Sequence, residues 1–179
     1  MSGPRAIRNL ALIGFMGTGK STVGRQVAHL LHFTYLDTDH VIEARAGKTI
    51  SDIFEHDGEA AFREWERRIV AELASRTQTV IGTGGGLPAN PENLVSLKTH
   101  SLVVCLWATP ESIYHRVREH SHRPLLAGPD PLAKIRELLA LREPYYRQAD
   151  VLVNTELRSI REVAMHVVHQ FHQAQSAGS

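Results

Sequence analysis

The sequence has a single cysteine, Cys105, among 179 residues. No internal disulfide can form, so a reducing cytosol is permitted and an oxidising compartment is not required. An excess of charge is missing too: Lys plus Arg number 20 against 19 Asp plus Glu, a formal net charge of +1. That balance advertises no nucleic-acid partner, while a local basic site for a small phosphate stays open. Apolar runs such as residues 102–107 are far too short to span a bilayer. Residues 1–5 lead into a short apolar run that ends at a glycine loop and not at a cleavage site. With 42% hydrophobic and 22% charged residues, the chain is not disordered, collagen-like or a coiled coil. The expectation is a soluble, cytoplasmic monomer, one domain over residues 1–179, with no nucleic-acid and no membrane partner.

Short apolar runs alternate with longer amphipathic ones. Residues 9–15, 34–36, 79–82, 102–107 and 151–153 read as strands. Residues 20–31, 39–46, 51–76 (broken near Gly58), 110–119, 132–148 (disturbed at Pro144) and 158–173 read as helices. Strands apolar on both faces, separated by helices, predict an α/β fold of three α/β/α layers around a parallel five-stranded sheet. Ligands of such folds sit at the carboxyl ends of the strands. The small, polar residues 173–179 are expected to fray.

The clearest motif runs from Gly14 to Ser21 and fits G-x-x-x-x-G-K-[ST], between a predicted strand and a predicted helix. Its glycines let successive backbone N–H groups turn inward on phosphate oxygens. The helix that follows adds its partial positive charge. Lys20 supplies a full charge, and Ser21 a hydroxyl ligand for Mg²⁺. A second Gly47-Lys48-Thr49 lacks the earlier glycine, because position 42 is Ile.

Further residues that bear on chemistry follow in order. The second strand ends in Asp37-Thr38-Asp39, whose carboxylates diverge if a helix begins at Asp39. One would then serve Mg²⁺ and one an acceptor hydroxyl, although Asp39 as a plain helix cap stays open. Arg63 and Glu66 share a helical face, as an oriented cation or as a solvated ion pair. Gly84, Gly85 and Gly86 follow a strand, where bare backbone suits a closely approaching ligand or a plain loop. Arg123 lies among Pro124, Gly128 and Pro129, a hinged flap carrying a cation that could exclude water. Arg142 stands just before Pro144.

Taken together, these motifs resemble the shikimate kinases, in the nucleoside-monophosphate-kinase-like P-loop group, over residues 9–159. The shared elements are GxxGxGKS (Gly14, Gly17, Gly19, Lys20, Ser21), DxD (Asp37, Asp39), FRxxE (Phe62, Arg63, Glu66), GGG at Gly84 to Gly86, RPLL from Arg123, and RxPxY from Arg142. The resemblance implies transfer of the ATP γ-phosphate to the 3-hydroxyl of shikimate, giving shikimate 3-phosphate and ADP in aromatic amino-acid synthesis. It implies ATP as co-substrate and Mg²⁺ as metal, the latter placed by Ser21 and by Asp37 through water. It makes Lys20, Asp39 and Arg123 catalytic, with Asp39 holding the hydroxyl and Arg123 neutralising charge from a lid at about 118–130. Gly17, Thr18, Gly19, Lys20, Ser21 and Thr22 would hold the nucleotide with Arg116, Arg123 and Arg158, Arg116 stacking over adenine. Asp39, Arg63, Gly84, Gly85, Gly86 and Arg142 would bind shikimate, the two arginines gripping its carboxylate and Glu66 orienting Arg63. The acceptor-binding segment would cover about 38–66.

The chain departs from the family pattern at three places. Gly82 stands where Ser or Ala is usual, Pro88 where an apolar residue is usual, and residues 153–158 lack the trailing proline of the adenine loop. Two other readings remain: a small P-loop kinase for another acid such as gluconate, and a catalytically silent nucleotide-binding module.

Overall fold

A computed structural model of the chain describes residues 5–118 and 128–177. Strand β1 (Asn9–Ile13) is buried along its whole length because it lies at the centre of the sheet. Around it, β2 (Thr34–Asp37), β3 (Thr79–Gly82), β4 (Ser101–Trp107) and β5 (Val151–Asn154) complete the order β2-β3-β1-β4-β5, and every pairing is parallel. The period of two along β1 then sorts its side chains between two cores. Leu10 and Leu12 face α1 (Lys20–Leu31) and α8 (Ile160–Ala177), through Val23, Val27, Val167 and Phe171. Ala11 and Ile13 face the opposite layer of α4 (Glu59–Leu73), α5 (Pro91–His100), α6 (Pro110–Val117) and α7 (Pro131–Tyr146). This is the three-layer arrangement expected from the alternation of runs.

Local chemistry explains where the helices begin. Asn90-Pro91, Thr109-Pro110 and Asp130-Pro131 each put an accepting side chain ahead of a proline at a first helical position. The first pair opens α5, an element absent from the hydrophobic periodicity because only Leu94 and Leu97 mark its buried face, with Asn93 and His100. A short turn Leu87–Ala89 precedes it. Between α2 (Thr38–Ala46) and α4, the chain makes α3 (Ile50–Asp52) and a π-helical turn Ile53–Asp57, closed by Gly58 at φ 87°. Two expectations are corrected here. Residues 173–177 do not fray but continue α8, whose Val163, Val167 and Phe171 are anchored on the sheet. And α7 runs through Pro144 to Tyr146, since Tyr146 and Ile135 are held in the core.

The amino ends of the strands are tied by one fully buried amide. Asn9 Oδ1 accepts the Thr79 N–H at 3.0 Å, while its Nδ2 donates to Arg76 O at 2.7 Å and pairs with His100 Nδ1 at 3.0 Å. Asn9→Ala leaves buried polar groups unsatisfied on neighbouring segments. The expected loss is about 3 kcal/mol of unfolding free energy in urea, with substrate KM values unchanged because the site lies at the opposite end of the strands.

Candidate active site

At the carboxyl end of β1 the chain turns through Gly14 at φ 139°, where a methyl group would stand 2.2 Å from Leu106 O of β4. Gly17 and Gly19 also have positive φ, and Gly19 forms the left-handed N-cap of α1. Lys20 therefore begins the helix with its ammonium folded across the loop, donating to Gly14 O at 2.8 Å and Phe15 O at 2.9 Å. Thr18 is buried, its hydroxyl donating to Phe15 O, while Ser21 and Thr22 face solvent on the first turn.

Asp37 ends β2 beside this turn. Its Oδ1 accepts the N–H groups of Asp39 and His40, so Asp37, and not Asp39, is the cap of α2. Capping consumes one oxygen and leaves Oδ2 turned toward the Ser21 hydroxyl at 3.5 Å and the Tyr35 hydroxyl at 3.4 Å. A hydroxyl beside a carboxylate oxygen is the hard oxygen donor set that Mg²⁺ accepts alongside its waters.

Released from capping, Asp39 points the other way, into the space above the glycines. Its Oδ1 is buried without a hydrogen-bond partner among the described residues. Burial, with the Asp37 carboxylate as a second cause, pushes its pKa from 3.8 up to about 6. A methyl group on Gly84 would stand 2.6 Å from Asp39 Oδ1, one on Gly85 3.3 Å from Arg142 Nη1, and one on Gly86 2.9 Å from Arg63 Nη1. The same position on Gly85 is 3.5 Å from Gly14 O, so the glycine run also lies against the phosphate loop.

Both arginines are braced from behind. Arg63 donates to Glu66 at 2.8 Å and to Glu59 at 3.1 Å, and Glu66 is only 1% exposed. Burial raises the Glu66 pKa, against the lowering effect of Arg63. The Arg142 guanidinium lies 5.5 Å from the Phe15 ring centroid, at cation–π distance. On the far side of the phosphate loop, Arg116 donates to Thr155 Oγ1 at 2.9 Å, Thr155 O at 3.0 Å and Gly17 O at 3.3 Å. Arg158 is exposed on the turn before α8, with Glu162 as a charged neighbour. Arg123 and most of the 118–130 segment lie outside the described residues.

Of three supporting residues, Tyr146 closes the RxPxY element, Thr38 is the middle residue of DxD, and Tyr35 lies outside the motifs. Tyr146 donates to Gly85 O at 2.7 Å, and burial pushes its pKa up to about 12, so the phenol stays protonated as a donor. Its signal was the i+4 spacing from Arg142. Thr38, fully buried between the two aspartates, accepts the Gly84 N–H at 3.2 Å. Tyr35 joins Asp37 as described, and no spacing rule singles it out. Trp107 is 42% exposed at the end of β4.

A phosphate loop on a parallel five-stranded sheet, facing a carboxylate and two guanidinium groups, defines a small P-loop phosphotransferase. A family model described as shikimate kinase matches residues 16–172. A shikimate kinase from Caldanaerobacter subterraneus subsp. tengcongensis is 44% identical over 165 residues, covering 92% of this chain and 96% of that one. The chain belongs to the shikimate kinase family. Among solved structures, the shikimate kinase from Acinetobacter baumannii in complex with shikimate is 38% identical with a TM-score of 0.88, covering 94% of this chain and 95% of that one. A gluconokinase from Sinorhizobium meliloti, at 16% identity and a TM-score of 0.62 over 98% of this chain and 97% of that one, shares the fold alone.

Because Asp39 titrates near 6 when folded and at 3.8 otherwise, the folded state keeps a proton that the unfolded chain has lost between those values. Stability therefore falls as pH rises through this window, by roughly 3 kcal/mol. Asp39→Asn is expected to be more stable than the parent by about that amount above pH ~6, and no more stable below pH ~4. Urea unfolding from acid to neutral pH checks this; parallel profiles for the two proteins would refute it.

Proposed function

We infer that the chain is an ATP-dependent shikimate kinase, carrying the γ-phosphoryl group of ATP to the 3-hydroxyl of shikimate to give shikimate 3-phosphate and ADP. The observation that carries this reading is the run Gly84 to Gly86, each glycine facing one of Asp39, Arg142 and Arg63. Beside the phosphate loop, one carboxylate and two cations suit an acceptor with a hydroxyl at one end and a carboxylate at the other.

Gly17, Thr18, Gly19, Lys20, Ser21 and Thr22 hold the triphosphate, with the Lys20 ammonium moving from loop carbonyls to phosphate oxygens. Arg116 lies over the adenine, its guanidinium already tied to Thr155; Arg158 borders the same end. Ser21, with Asp37 through water, holds Mg²⁺, which neutralises charge on the β- and γ-phosphates when bound. Arg63 and Arg142 grip the shikimate carboxylate as guanidinium forks. Gly84, Gly85 and Gly86 let the ring approach the backbone, with Tyr146 steadying the Gly85 carbonyl.

Asp39, with a pKa of about 6, is mostly ionised at neutral pH yet keeps enough affinity for a proton to accept one from the hydroxyl. A loose transition state asks chiefly for positioning and charge, so one weak base suffices. Arg123, assigned by its motif, neutralises the migrating group from the lid at about 118–130. The whole chain, 1–179, acts as one cytoplasmic, monomeric domain with its acceptor segment at about 38–66. Among the described residues, no helix is long and apolar enough to cross a membrane.

The test is ADP release with ATP and Mg²⁺, comparing shikimate, gluconate and no acceptor. Shikimate-dependent release is expected; gluconate dependence would keep the phosphate loop and overturn the acceptor assignment. Arg63→Ala leaves the buried Glu66 carboxylate without its cation and should weaken shikimate binding about 100-fold, with ATP binding nearly intact. Near-normal shikimate affinity in that variant would remove Arg63 from the acceptor site.

A further inference from the structure

Strand β3 ends on Gly82, where the family pattern leads one to expect Ser or Ala. P-loop proteins commonly bring a side chain from such a strand to the metal beside the loop hydroxyl, and here the strand has none to bring. The space is taken by a residue of the neighbouring strand. A methyl group on Gly82 would stand 2.4 Å from the Tyr35 hydroxyl oxygen, and one on Gly24 of α1 2.5 Å from its Cε2. Two backbone positions, on different elements, are thus bare where the phenol sits. The register sets Asp37 opposite Gly82, two residues beyond Tyr35.

The hydroxyl end of the ring reaches the corner made by Ser21 and Asp37. It donates to Asp37 Oδ2 at 3.4 Å, the oxygen that Ser21 also reaches at 3.5 Å, and it is itself a hydrogen-bonding neighbour of Ser21. Arg25 lies 5.6 Å from the ring centroid and helps fix its plane. A ring needed only to fill the slot could be phenylalanine; the oxygen is the atom that comes nearest to Gly82.

We propose that Tyr35 is a positioning residue of the metal–nucleotide site, its hydroxyl standing in for the side chain that β3 lacks and keeping Asp37 Oδ2 turned toward Ser21. The proposal rests on the reading of Ser21 and Asp37 as the magnesium corner. Groups that orient metal ligands in this way commonly affect affinity about 10-fold or more.

The experiment follows Mn²⁺ binding to the protein–ADP complex by the EPR signal of the free ion, in the parent, Tyr35→Phe, Gly82→Ser and the double variant. Thermal unfolding confirms that each is folded. Tyr35→Phe is expected to weaken Mn²⁺ about 10-fold and to raise the KM for Mg-ATP, leaving the KM for shikimate unchanged. In the double variant the missing phenol oxygen makes room for a serine, whose nearest neighbour would be the ring Cζ at 3.1 Å from Cβ. It should recover most of the lost affinity, whereas Gly82→Ser against an intact phenol should not improve on the parent. Parental Mn²⁺ affinity in Tyr35→Phe overturns the proposal, as does a loss that the second substitution leaves untouched. A parent that takes up no Mn²⁺ with ADP would instead overturn the underlying reading of the corner.

Discussion

The arrangement of the charged groups beside the phosphate loop depends on backbone that carries no side chains. At residues 84–86 the main chain lies so close to Asp39, Arg142 and Arg63 that a methyl group would have to displace one of them at the first and last positions. A methyl group on Gly85 would also be in contact range of Gly14 O, which places these charged groups beside the phosphate loop. Tyr146 and Thr38 then hold this backbone at two points, through the Gly85 carbonyl and the Gly84 N–H. Close approach of main chain to charged side chains brings the phosphate loop and these groups together without intervening bulk.

Charge is sorted by the same geometry. Asp37 and Asp39 are two residues apart, yet the start of α2 sends them to different places. One caps the helix and faces Ser21; the other is buried with no partner for its Oδ1 among the described residues. Their mutual repulsion adds to burial in raising the Asp39 pKa. On the opposite wall Glu66, nearly inaccessible, answers Arg63 and keeps one buried oxygen unsatisfied among the described residues. Such orphaned polar atoms are unfavourable for folding; Asp39 Oδ1 and Glu66 Oε1 line this site, and others belong to Arg5, Asn93 and His100.

Much of this was legible beforehand because it is written in short spacings. The phosphate loop, the DxD pair, the i, i+3 relation of Arg63 and Glu66 and the alternation of strands and helices depend on local geometry, which a sequence displays directly. Helix α5 went unread because its buried face rests on two leucines and polar neighbours, although Asn90-Pro91 announced its start. The tail resisted reading for another reason. Residues beyond 173 look polar and free, but α8 is anchored by Val163, Val167 and Phe171 and carries them along.

Residue types at fixed spacing were enough for the class of fold, the nucleotide loop, the DxD pair and the Arg63–Glu66 pair, because each lies along one or two adjacent elements; Arg142 joined them only through the resemblance. It took the packed structure to show which aspartate caps and which lies buried against Gly84, because that depends on where α2 starts against β2. It also paired each glycine of 84–86 with its own charged partner from a distant helix. And it explained Gly82, a residue whose neighbour along the chain says nothing, by a phenol from the adjacent strand that occupies the room it leaves. Contacts between strands and helices far apart in sequence are set by packing, and packing has no period to read.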